Sequence, residues 1–200
     1  MLFIVTHDDP CADFTKCAYK YLSKHDAERL LSTYAIPPSG KDATAIWQLC
    51  GDYAYNLPVV RAGAAWPRPD QCFVYHFERG NTFRDKDHPF HGKTTHMLDA
   101  EFHFLNLNDA LSEPDQELAT EMAIQWIKFA NGEDPWKPHG KERNSMCITD
   151  GGEFIVRTEE EDRKRPERRW SKWDVALDIG VEKIWKIVSV YHAHFDIDEV

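Results

Sequence analysis

Two runs of strand composition, residues 1–5 and residues 72–78, are separated by residues that pattern as helix, and this spacing constrains the chain more than any other feature. Strands joined by a helical crossover cannot form a hairpin. They pair in parallel, and a parallel sheet needs helices over both faces and more than two strands. The expectation is an α/β architecture with an incomplete sheet. The first run is apolar and β-branched and stops at Thr6-His7-Asp8-Asp9-Pro10, a turn signal that leaves two carboxylates at the carboxyl end of a strand. Sites in open α/β sheets are built at that edge.

Helical spacing follows over residues 14–31, with Phe14, Cys17, Ala18, Tyr21 and Leu22 on one face. Pro37-Pro38-Ser39-Gly40 marks a loop. Residues 43–65 pattern as helix, and Pro58 is expected to divide them into two shorter helices. After the second strand, residues 79–93 form a long polar loop, a kind of segment that is uncommon in compact domains and often functional. The clearest helix starts at Ser112 as N-cap with Glu113-Pro114 in its first turn. It carries Leu118, Met122, Trp126 and Phe129 on one stripe and stops at Asn131-Gly132. Residues 146–149 and 153–156 suit two short strands around Asp150-Gly151-Gly152. Residues 170–190 read as one terminal helix with Trp173, Leu177, Val181, Ile184 and Trp185 inward, followed by a polar tail over about 191–200. The aromatic stripe Trp126, Phe129, Trp170, Trp173 and Trp185 reads as core packing.

Charge narrows the partners. The chain holds 34 acidic against 24 basic residues, a formal net charge of −10, which argues against a phosphate-backbone partner and so against nucleic acid. The densest basic stretch, residues 163–169, directly follows acidic residues 159–162 and reads as a self-neutralising charge run. The longest apolar runs are too short to span a bilayer, and no secretory signal is visible; localisation stays open, because a missing N-terminus would hide one. Five cysteines (Cys11, Cys17, Cys50, Cys72, Cys147) form no CxxC pair, which leaves a Cys-type zinc site without support and reduced, buried thiols as the expectation. His88, His91, His96, Asp99 and His103 are dense, and His192, His194, Asp196 and Asp198 alternate, residue types that can bind a transition metal. Neither set has a His-x-x-x-His pair or a ligand-like spacing, and no metal or other cofactor is expected.

An acid after the first strand and a histidine after the long loop are the remaining constellation: Asp9 or Asp8 with His96. In acyl-transfer triads a carboxylate orients an imidazole that takes the nucleophile's proton, and in α/β-hydrolases the order along the chain is Ser, acid, His. The bland reading of Asp8 and Asp9 is that they cap the helix that follows. Asp99, three residues after His96, is expected on the same helical face in a supporting role, by capping or hydrogen bonding.

The segment Gly92-Lys93-Thr94-Thr95-His96-Met97-Leu98-Asp99-Ala100-Glu101-Phe102-His103-Phe104 resembles the region around the catalytic His of type-B carboxylesterases, the group containing cholinesterases and many fungal lipases. Trp126-Ile127-Lys128-Phe129-Ala130-Asn131-Gly132-Glu133-Asp134-Pro135 is similar to that family's Trp-x-x-Phe-Ala-x-x-Gly-x-Pro signature, and Asp52-Tyr53, Pro58 and Tyr75-His76-Phe77 fall where the family has comparable residues. The resemblance runs from about Leu2 to about Trp173. It implies the C-terminal part of a single α/β-hydrolase domain spanning residues 1–200, a serine-type ester hydrolase acting on a carboxylic ester, His96 as general base and Asp9 as the acid, with Asp8 and Asp99 in support. Four departures stand out, the first being that Asp9 falls where the family usually has Glu, one methylene longer. Pro10 follows the acid where the family generally has Gly. None of the seven serines lies in a Gly-x-Ser-x-Gly elbow, and the glycine-rich oxyanion loop is missing too. The chain is expected to supply acid and base without the nucleophile, which leaves open an ester hydrolase, a non-catalytic esterase-like interaction protein and an inactive truncated product. Residues 1–200 alone are expected to be inactive and, with an unflanked first strand, poorly soluble.

Overall fold

A computed structural model describes residues 7–88 and 90–193, the last two by their backbone alone. The strand expected over residues 1–5 and most of the expected tail lie outside the described residues. The described chain forms two compact units: one built from the segments up to Arg61 and from Arg165 onward, the other from Ala62–Lys164.

The first unit is helical. Its elements are α1 (Pro10–Tyr21), α2 (Lys24–Tyr34), α3 (Thr44–Gly51), α4 (Leu57–Ala65, which continues past Arg61), α8 (Trp170–Ile179) and α9 (Val181–Ala193). The single helix expected over residues 14–31 is two. Ser23 caps α2, accepting from the Asp26 amide at 3.1 Å, and the chain is extended at Leu22 and Ser23. An apolar stripe that runs on through a break hides the break, because both helices need an apolar face. The same holds for residues 170–190. Gly180, at φ +113°, separates α8 from α9 in a conformation that L side chains rarely adopt. Helix α9 also reaches Ala193, into the expected tail.

Residues 43–65 form the two shorter helices expected, but the chain between them stays helical. Pro58 makes no break; a π-helical turn, Asp52–Asn56, joins α3 to α4, and the Leu57 amide donates to the Asp52 carbonyl five residues back. The wider turn gives room to a proline that has no N–H to donate and whose ring would crowd an ordinary α-turn. The core of this unit joins Phe14 and Cys17 of α1, Leu30 and Tyr34 of α2, Ile46 and Leu49 of α3, Trp173 of α8 and Ile184 and Ile187 of α9. Each such side chain contributes about 1.5–3 kcal/mol by leaving water. Trp170 and Trp173 pack at 4.8 Å between ring centroids, whereas Trp185 projects outward and is half exposed. Trp185 follows Ile184 directly, and the two neighbours cannot share one helical face.

The second unit holds β1 (Tyr75–Phe77), α5 (Leu98–His103), α6 (Glu113–Ala130), β2 (Ser145–Ile148), β3 (Phe154–Arg157) and α7 (Glu159–Arg163). The expected hairpin is present: β2 and β3 pair antiparallel, Met146 opposite Val156. Its first strand also pairs in parallel with β1, Tyr75 opposite Met146, in a mixed sheet of order β1-β2-β3. Helix α6 packs on α5 and buries Leu118, Ala119 and Met122 against Phe77, Leu98, Phe102 and Ile148. Its stripe ends early. Trp126 is half-buried, and Phe129, in the last turn, meets Phe73 edge-on at 5.9 Å yet stays 56% exposed. Among the described residues no helix is long and apolar enough to cross a membrane.

Candidate active site

His96 lies at the end of the long loop, and the sequence makes the base of that loop rigid. Gly92 donates its amide to the Asn81 carbonyl at 2.7 Å, and Asn81 donates to Lys93 at 3.1 Å. The two strands of chain touch at Gly80 and Gly92, where a Cβ on Gly80 would stand 2.5 Å from the Gly92 carbonyl oxygen, inside contact distance. Only glycine allows that approach. Thr94 Oγ1 then donates to the Glu78 carbonyl at 2.8 Å, which ties the residues just before His96 to the end of β1.

A buried carboxylate anchors the same base. Asp115, at the start of α6, accepts from Arg79 Nε at 2.7 Å, Thr82 Oγ1 at 2.8 Å and Ser112 Oγ at 2.8 Å. Burial raises its pKa, but these three donors and the guanidinium charge together hold it below the ordinary value of 3.8. Ser112, expected as a plain N-cap, spends its hydroxyl on this carboxylate.

His96 itself is exposed, in the turn from Thr95 to Leu98 that leads into α5. Met97 between them is left-handed, at φ +68°, so His96 stands outside the helix, and Asp99 does not share a helical face with it. Asp99 turns instead to β1, where its carboxylate accepts from the Tyr75 hydroxyl. Burial, and then this hydrogen bond, push the Tyr75 phenol well above its ordinary value. Around Tyr75 pack Trp126 at 4.9 Å, His103 at 5.6 Å and Trp136 at 6.2 Å between ring centroids.

The acids at the other end of the chain belong to the first unit. Asp8 is exposed. Asp9 caps α1: its Oδ1 accepts from the Ala12 amide at 2.9 Å and from the Gly40 amide at 2.8 Å. Those two amide bonds draw its pKa below 3.8, so it carries charge at neutral pH. Pro10 fits this role, since the first helical position needs no amide donor and favours a fixed φ. Asp9 and His96 thus lie in different units, each with its own surroundings. The alternating residues 192–198 lie outside the residues described with side chains; the histidines near His96 have other contacts. His91 Nδ1 lies 2.7 Å from the Arg84 carbonyl oxygen, and the His88 ring accepts from the Phe90 amide. Among the described residues no three His, Cys, Asp or Glu side chains converge to hold a metal ion.

Sequence reasoning missed two features here. Tyr75 was not singled out as a partner of Asp99, although its alternation with Phe77 places both on one side of β1. For His103 the sequence offers only a metal-like residue type, although Asp99 and His103 are four apart on one helix and so neighbours on its surface.

Compared with known families, residues 15–170 match the carboxylesterase family, which is most of the chain. The protein belongs to that family. No curated protein and no solved structure matches it.

Proposed function

We propose that the chain carries the acid–base half of a serine-type carboxylic-ester hydrolase, with His96 as general base and Asp9 as the acid that orients it. The family match carries this reading, and two features of the chain support it: an exposed imidazole at the end of a loop with a pinned base, and a carboxylate kept ionised by backbone amides. In the reaction an attacking serine hydroxyl gives its proton to His96, which later hands it to the leaving alkoxide. Asp9 stabilises the imidazolium between those two transfers. Asp99 acts in support by holding α5 to β1, and Asp8 stands beside the acid. No cofactor enters this chemistry.

A second reading, an esterase-like interaction protein without catalysis, is favoured by one observation: no serine of the sequence lies in a Gly-x-Ser-x-Gly elbow. Turnover of a p-nitrophenyl ester by the whole protein that carries these residues separates the two. His96→Ala is expected to lower kcat by several orders of magnitude, and His91→Ala to leave it nearly unchanged. Near-normal turnover in the His96 variant removes it from the role of base. A protein that neither turns over the ester nor takes up a serine-reactive phosphonate belongs to the second reading.

A further inference from the structure

His103 occupies an unusual position for a histidine. It is 8% exposed, at the end of α5, and its ring lies flat on the Trp126 indole, 3.7 Å between centroids and 26° from parallel. Its Nε2 is buried and has no hydrogen-bond partner among the described residues. A neutral imidazole tolerates this; an imidazolium does not, because it would be a buried cation with an unpaired N–H. The titratable groups around it are Asp99, one turn earlier on its own helix, and Tyr75, whose ring edge meets it from β1. Helix α6 presents the uncharged indole of Trp126, and its own Glu121 accepts from Gln125. Asp99 is therefore the anion within reach, and it is already engaged by a neutral donor, the Tyr75 hydroxyl.

We infer that His103 is a proton-operated latch on α5: the neutral ring stacked on Trp126 leaves the Asp99 carboxylate to Tyr75, and the imidazolium takes that carboxylate for itself and releases the tether between α5 and β1. The proton comes from solvent, and only hydrogen bonds are exchanged. A charge-assisted pair is about twice as strong as a neutral one, and the i, i+4 spacing lets the two side chains meet along one face. Burial holds the imidazole below its ordinary value of 6.5, and Asp99 opposes that effect, so the latch trips on the acid side of neutrality. Because α5 begins two residues after His96, an opened latch frees the turn that carries the base. That consequence for hydrolysis rests on the function proposed above; the latch does not.

The test reads Trp126 directly and needs no catalysis. Its emission is isolated as the difference between the chain and its Trp126→Phe variant at low concentration. This difference is followed from about pH 8 to about pH 4, across the imidazole range, with far-ultraviolet circular dichroism in parallel. The Trp126 contribution is expected to change in a one-proton step below pH 6.5 while the dichroism holds. His103→Gln should abolish the step. Asp99→Asn should move it to lower pH, since the cation loses its anion, and Tyr75→Phe should move it to higher pH, since Asp99 loses its competing donor. The inference is overturned if the step survives in His103→Gln, if the dichroism collapses with it, or if neither Asp99→Asn nor Tyr75→Phe moves its midpoint. Should His103→Gln fail to fold, the opposite shifts of the other two variants decide the matter.

Discussion

The two units bury carboxylates by contrasting means. In the first, Asp52 is fully buried and is held by a guanidinium 117 residues away: Arg169 Nη2 reaches Oδ1 at 2.5 Å and Nε reaches Oδ2 at 3.1 Å. Tyr34 Oη and Asn56 Nδ2 complete its shell at 3.2 and 3.0 Å. Arg169 adopts a left-handed backbone at φ +56° to present that fork, a strained conformation maintained by the packing around it. In the second unit, Asp115 accepts from the Arg79 guanidinium and from two nearby hydroxyls, Thr82 and Ser112, and Asp99 accepts from a neutral donor, the Tyr75 phenol. A fork from a remote segment ties together the two stretches of sequence that build the first unit. Hydroxyls, a phenol and the nearer guanidinium of Arg79 tie a loop to the helix beside it, and such separate bonds can be exchanged one at a time. The first unit is built to stay closed, the second to hold a histidine in place and let it respond.

Breaking the fork should produce the largest effect. Arg169→Ala leaves a fully buried carboxylate without its cation, a loss of about 3–5 kcal/mol. Hydrogen exchange should show the lost protection concentrated in α2, α3 and α8, and the double change Asp52→Asn, Arg169→Met should recover much of it. Equal loss of protection in both units would erase the contrast.

A smaller effect is expected at Asp115→Asn, about 1–3 kcal/mol, because Thr82 and Ser112 can still donate to an amide oxygen and Arg79 is partly in contact with water. The pH dependence has a definite sign. The folded-state pKa is depressed, so the contribution is complete above the unfolded value of 3.8 and is lost as pH falls through the lower folded value. Denaturant melts taken on the acid side should therefore converge for wild type and variant only below about pH 4. Convergence already at neutral pH would mean that the triple acceptor adds nothing.

The smallest changes are expected where the units do not differ. Ser23 caps α2 in the first unit, and Thr158 closes a capping box with Glu161 in the second, accepting from the Glu161 amide at 3.2 Å. Replacing either with Ala should cost about 1 kcal/mol. A marked inequality between the two, measured by urea midpoints, would show that even local caps feel the unit around them.

These contrasts mark what the sequence could reveal. Helix α6, the hairpin of β2 and β3 and the pinned loop all carry short-range signals: a Pro in the first turn, Gly at a turn, alternation of two. Asp9 as a helix cap was legible for the same reason. The break at Ser23 was not, since the apolar face continues on both sides of it. Nor was the tie between Asp52 and Arg169, whose partners are specified by packing across the whole chain and leave no local pattern. His96, the proposed base, was singled out by the residues around it in the sequence, whereas Tyr75 and His103 acquire meaning only when β1 and α5 are laid side by side.

The π-turn at Asp52–Asn56 bears on how this segment can change in length. Such a turn is an α-helix with one residue inserted. Removing a residue from it would restore the ordinary ladder, and that ladder would set Pro58 against the carbonyl four positions earlier. It would also swing everything beyond by about 100°, one residue's turn of helix, and carry Leu57 off the core. The proline thus depends on the insertion: the extra residue cannot be lost while Pro58 stays, and a shortened relative of this chain would be expected to have replaced the proline too.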